Sequence, residues 1–75
     1  MHADQIREKL EASFPDAILS ITDLTGGGDH WQVSIQSAAF MGKSKVEQHQ
    51  LVYKALEEWL KTQEIHALAL TTSLP

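Results

Sequence analysis

Apolar and polar positions recur along this 75-residue chain with two different periods, and the changes of period divide it into five elements. Residues Ala3 to Phe14 place Ile6, Leu10 and Phe14 at i, i+4 and i+8 among Asp4, Arg7, Glu8, Lys9 and Glu11, one apolar stripe on a charged helix. Pro15 lacks a backbone N–H and ends it. Ala17 to Asp23 is rich in β-branched side chains and predicts a strand, but both of its faces are partly apolar, so alternation leaves the inward face open. Thr25 to Asp29, with its glycine triplet, predicts a hairpin loop. His30 to Ser37 alternates most cleanly, with Trp31, Val33 and Ile35 on one face and Gln32, Ser34 and Gln36 on the other.

Further along, Ser44-Lys45-Val46-Glu47 fits a capping box, in which the Ser hydroxyl and the Glu carboxylate accept from the orphan donors of a helix start. The spacing predicts a helix from there to about Lys61, with a stripe of Val46, His49, Tyr53, Leu56 and Leu60 broadened by Val52 and Trp59. Ile65 to Thr71 predicts a last strand, with His66, Leu68 and Leu70 on the face opposite Ile65, Ala67 and Ala69. A short glycine loop makes the first two strands an antiparallel hairpin, whereas a helical connection makes the second and third parallel through a right-handed crossover. The expected fold is α+β, ordered α-β-β-α-β, with a three-stranded mixed sheet covered by helices on one face. No repeat, linker or low-complexity tract interrupts the pattern, so residues 1–75 are expected to form a single domain.

Composition narrows the chemistry. A chain of this size buries only about 60% of the surface its unfolded form exposes, which leaves no room for a large enclosed active site. Without Cys there is no disulfide, no thiolate nucleophile and no zinc or iron-sulfur centre made from its own thiolates. The formal charge of −4 opposes phosphate polyanions. No apolar run is long enough for a bilayer, and Met1 to Leu10 lacks the apolar core of a secretory signal, so a soluble cytoplasmic protein is expected. No serine lies in a nucleophile elbow and no carboxylate pair shares a predicted cleft, so an enzyme is not expected.

Parallel neighbouring strands begin at the same end of a sheet. His30 opens the second strand and His66 the third, so adjacency would bring two imidazoles together beside the glycine loop, forming half of a metal site. The bland alternative is a polar loop residue and a solvent-facing strand start. Two His without Cys cannot hold an iron-sulfur cluster unaided, and the other ligands would come from a partner. A mononuclear zinc or copper site is the other metal option, though no third ligand has local spacing; Asp29, the nearest carboxylate, reads as a turn residue. His49 falls in the apolar stripe and reads as a partly buried, hydrogen-bonded histidine or as part of a partner surface. His2 reads as solvated. The glycine loop, besides making the turn, could serve as a flexible arm carrying His30. Gly42-Lys43-Ser44-Lys45 at a helix start could bind an anion, and with His49 it is a candidate partner or nucleic-acid surface.

Three segments together resemble one family. Gly27-Gly28-Asp29-His30-Trp31-Gln32-Val33, then Phe40-Met41-Gly42-Lys43-Ser44 running through Val46-Glu47-Gln48-His49-Gln50-Leu51-Val52-Tyr53, then Ile65-His66-Ala67-Leu68, closely resemble BolA proteins. The resemblance spans about Ile6 to Leu70 and implies a KH-like fold. It also implies a non-enzymatic partner of a monothiol glutaredoxin in iron-sulfur cluster handling and iron regulation. Carried onto this chain, the ligands of a shared 2Fe-2S cluster would be His30 and His66, joined by a glutaredoxin Cys and the thiol of glutathione. The isolated chain would then carry no cluster and exist as a monomer or weak homodimer. The family's R-H-R stands here as Gln48-His49-Gln50, which removes two positive charges and disfavours nucleic acid. A KH-like nucleic-acid-binding transcriptional regulator is the alternative that Lys43, Lys45 and Lys54 keep open.

Overall fold

The computed structural model describes all 75 residues, Met1–Pro75. Helix α1 (Ala3–Ser13) leads to strand β1 (Ile18–Asp23) and strand β2 (His30–Gln36), followed by a 3-10 turn (Ala38–Phe40), helix α2 (Lys45–Ala55), helix α3 (Glu57–Lys61) and strand β3 (Ala67–Ser73). The sheet order is β1-β2-β3, with β1 antiparallel to β2 and β2 parallel to β3. That is the expected topology. Helices cover one face only, while Ile18, Ser20, Thr22, Gln32, Ala67, Ala69 and Thr71 lie exposed on the other.

The core forms where the two periodicities meet. Trp31, Val33 and Ile35 from the central strand pack against Ile6, Leu10 and Phe14 of α1, and against Phe40, Val52, Leu56 and Ile65. The Phe14 and Phe40 rings meet at 5.5 Å between centroids in a tilted pair. Leu19 and Ile21 supply the inward face of β1 that alternation had left open.

The expected helix from Ser44 to Lys61 departs from the pattern twice. Its capping box forms as read, Ser44 Oγ accepting from Glu47 N–H at 3.2 Å and Glu47 Oε1 accepting from Ser44 N–H at 2.9 Å. The helix then breaks at Leu56 (φ −104°, ψ 9°), a fully buried residue with no Gly or Pro nearby, so packing rather than a breaker residue ends α2 there. The stripe also differs. Gln48, Val52 and Leu56 are the buried positions, whereas Val46 is 66% and Tyr53 40% exposed. The apolar count misplaced the face because a glutamine holds a core position.

Gln48 is only 5% exposed yet fully partnered. Its Nε2 donates to Lys43 O at 2.9 Å, and its Oε1 accepts from Thr72 Oγ1 at 2.7 Å. Lys45 Nζ donates to the Thr72 carbonyl, so the start of α2 is tied to the end of β3. A position where an arginine would have been read as surface charge is therefore interior in this fold. The last strand begins two residues later than expected, because Ile65 is buried in the preceding turn and donates its N–H to Trp59 O at 3.1 Å.

A second polar unit holds the 3-10 turn. Asp16 Oδ2 accepts from Ala38 N–H at 2.8 Å and its Oδ1 from Ser37 Oγ at 2.8 Å, while Ser37 Oγ accepts from Ala39 N–H at 3.1 Å. The Ala38 N–H, and after it the Ser37 hydroxyl, holds the Asp16 carboxyl below its ordinary 3.8.

Three outcomes follow from these polar units. Thr72→Val leaves Gln48 Oε1 buried without its donor and is expected to cost about 1–3 kcal/mol, read as a lower urea midpoint at unchanged slope. Gln48→Leu combined with Thr72→Val should cost less than the sum of the two single changes. For Asp16 the folded-state pKa lies below the unfolded one, so its contribution is complete above the unfolded value and fades as pH falls through the depressed folded value. Asp16→Asn should accordingly lower stability at neutral pH, with the difference from wild type narrowing as pH falls below the ordinary 3.8, checked by urea midpoints over a descending pH series.

Candidate functional site

The register that pairs His30 with Ala67 sets the starts of β2 and β3 side by side. The His30 and His66 rings meet there, 5.2 Å between centroids and inclined at 58°. His30 is half-buried and His66 exposed. The two backbones are joined at one atom, since the Asp29 carbonyl accepts from His66 N–H at 2.8 Å and from Ala67 N–H at 3.2 Å.

The glycine loop beside them is not a free arm. Asp23, the last residue of β1, turns its carboxylate into the loop: Oδ1 accepts from Gly26 N–H at 3.0 Å and Thr25 N–H at 3.3 Å, and Oδ2 from Gly28 N–H at 2.9 Å. Gly26 (φ +78°) and Gly28 (φ +76°) adopt the left-handed backbone that lets these amides converge. Trp31 Nε1 donates to Gly28 O at 3.0 Å, tying the loop to the core. The expectation of a flexible carrier for His30 is corrected by this three-amide clasp.

Asp29 does more than turn the chain. Its Oδ1 lies 2.9 Å from His30 Nδ1, and that hydrogen bond is the main cause holding its carboxyl below the ordinary 3.8. With Nδ1 engaged, Nε2 is the His30 nitrogen left for a ligand. No third His, Cys, Asp or Glu joins the pair in a group able to hold a metal ion. The donor set therefore fits half of a four-ligand sphere and leaves the other half to be supplied from outside.

The remaining candidates sit elsewhere. Gly42, Lys43, Ser44 and Lys45 lie at the start of α2, beside the ends of the strands, about 20 Å along the seven-residue strands from the histidines. Ser44 is spent in the capping box and Lys45 Nζ on the Thr72 carbonyl, leaving Lys43 as the free cation of that segment. His49 is half-buried and meets the Tyr53 ring edge-on at 6.1 Å, where a hydrogen-bonded core histidine was one expectation. Asp23, Thr25 and the role of Asp29 escaped the reading of the sequence; an Asp on each side of a glycine triplet, the second abutting His, was the available signal.

A small α+β protein with a histidine pair, one half-buried and one exposed, at one corner of a half-covered sheet is the class these features define. The chain belongs to the BolA-like family, whose model, described as BolA-like protein, matches residues 2–75. It is 38% identical over 73 residues to BolA-like protein 3 of Homo sapiens, covering 95% of this chain and 66% of that one, so it spans about two thirds of that relative's length. It is 34% identical over 79 residues to the DNA-binding transcriptional regulator BolA of Escherichia coli, covering 96% of this chain and 74% of the other. The fold matches the solved BolA domain of SufE1 from Arabidopsis thaliana with a TM-score of 0.88 at 34% identity, covering 100% of this chain and 95% of that one. No helix is long and apolar enough to cross a membrane.

Removing the clasp tests the loop. Asp23→Ala should raise amide exchange at Gly26 and Gly28 by tenfold or more while leaving the β2 and β3 amides near wild type, a loss of about 1.4 kcal/mol or more in local opening free energy. Uniformly faster exchange across the sheet would instead mean that Asp23 acts on global stability.

Proposed function

We propose that this chain is a non-enzymatic partner of a monothiol glutaredoxin and joins it in a heterodimer, supplying His30 and His66 as ligands to a shared 2Fe-2S cluster. The observation that carries the reading is the meeting of two imidazoles at an exposed corner with no third ligand of their own. Two histidines on one iron is an established way of completing such a cluster, and a chain without Cys then needs thiolates from outside. The glutaredoxin cysteine and the thiol of glutathione fill that need. Membership of the BolA-like family supports the same assignment. Its place is in iron-sulfur cluster assembly or trafficking and in iron regulation.

When bound, the cluster supplies one-electron redox chemistry and a transferable iron-sulfur unit. The chain's own residues hold the donors ready. The parallel register sets the two rings side by side, the Asp23 clasp keeps the loop in place, and the Asp29 carboxylate keeps His30 Nδ1 occupied. Neutral imidazoles in place of anionic thiolates lower the negative charge on the iron and raise the reduction potential relative to an all-thiolate site.

A nucleic-acid-binding transcriptional regulator is the second reading, favoured by the name of the Escherichia coli relative. Against it stand the −4 charge, the engagement of Lys45 Nζ and the use of the α2 start by its own capping box. Binding to a DNA duplex that weakens steeply with added salt is its signature.

The deciding experiment is an anaerobic titration of this protein into cluster-loaded monothiol glutaredoxin with glutathione, followed by visible absorption and circular dichroism. Wild type should give a new spectrum saturating near one-to-one, His66→Ala should lose or strongly alter it, and His30→Ala should shift it. An unchanged glutaredoxin spectrum with no complex on a sizing column would sink the assignment and move the salt-dependent DNA titration to the front.

A further inference from the structure

We infer that Asp29 is the positioning residue of the histidine corner, its carboxylate selecting the tautomer of His30 and its backbone carbonyl setting the place of His66. The inference deepens the shared-cluster reading in what the corner binds, but the positioning itself belongs to the free chain.

The chemistry runs from the acceptor outward. A carboxylate has no proton to give at neutral pH, so across the 2.9 Å contact His30 Nδ1 must be the donor. The neutral ring is then held as the Nδ1–H form, with the Nε2 lone pair free for a ligand. In water a neutral histidine favours the opposite form, and the carboxylate therefore makes a selection. Asp29 is itself oriented: Thr25 Oγ1 donates to the same Oδ1 at 3.4 Å and accepts from Gly27 N–H at 3.2 Å. Gly27 leaves room for this arrangement, since a Cβ there would stand 3.2 Å from Asp29 Oδ1. Carboxylate–histidine pairs of this kind fix the ring and raise the basicity of the ligating nitrogen wherever histidine binds metal.

The main chain of the same residue handles the second histidine. Asp29 O accepts from the N–H groups of His66 and Ala67, so the segment carrying His66 hangs from the residue that orients His30. The separation of the rings is thus set within one short unit instead of by two strands adjusting independently. Substituting the side chain leaves the carbonyl in place, which allows the two roles to be separated.

The test begins without any metal. Long-range proton–nitrogen NMR of the free protein at about pH 8, where an ordinary imidazole is neutral, should show the His30 proton on Nδ1. Asp29→Ala should move it to Nε2, and Asp29→Asn, whose amide oxygen still accepts, should return it to Nδ1. Backbone amide spectra of both variants report whether the sheet is intact. In the anaerobic titration with cluster-loaded glutaredoxin and glutathione, Asp29→Ala should weaken formation of the mixed complex about 10–100-fold, with Asp29→Asn close to wild type. A wild-type ring already in the Nε2–H form, a tautomer indifferent to Asp29→Ala, or an unweakened mixed complex would each overturn the inference. Should the tautomer follow Asp29 while wild type forms no shared cluster, the positioning role stands and the shared-cluster reading falls.

Discussion

Two parallel strands cannot be joined by a tight turn, because the chain must travel the length of the sheet before the second can begin. In this protein β2 and β3 stand in that relation, and most of the molecule answers to it. The return path is the 3-10 turn, α2 and α3, which lay Phe40, Val52 and Leu56 over the inner face of the sheet. The crossover brings both strand starts to one corner, where His30 and His66 meet, and both strand ends to the other, where Lys45 and Gln48 meet Thr72. The β1 hairpin adds an edge to this frame without altering it.

A ten-residue core is small, and the fold supplements it with polar units that are locally complete. Gln48 with Thr72, Asp16 with Ser37, and Asp23 with the glycine loop each satisfy the backbone or side-chain groups they enclose. No buried side-chain nitrogen or oxygen lacks a partner. Unmet polar groups in so thin an interior would cost more than the few apolar contacts beside them return. This is why a glutamine can occupy a helical core position that patterning assigns to an apolar residue.

Much of this was legible in the chain. Alternation in His30–Ser37 located the central strand, the Ser44–Glu47 pair located the start of α2, and strand order alone brought His30 and His66 to one corner. The failures share a cause, which is that side chains acting on the backbone leave no periodic signal. Gln48 counts as polar until its partners at Lys43 and Thr72 are known, so the α2 stripe was read one position off in its first half. In sequence Asp23 reads as the end of a strand and Asp29 as a turn former beside glycine. Only the geometry gives their roles, one clasping three loop amides and the other facing an imidazole. The break at Leu56 has no local signature at all.

The distance between the two ends of the sheet has an energetic meaning. Groups about 20 Å apart with no shared partners change nearly independently in their energetic effects. Substitutions around Lys43 and along the exposed face of α2 can therefore change the charge and shape of that end while leaving the geometry of the histidine corner unaltered. Such a molecule can be altered at one end of its sheet without disturbing the other.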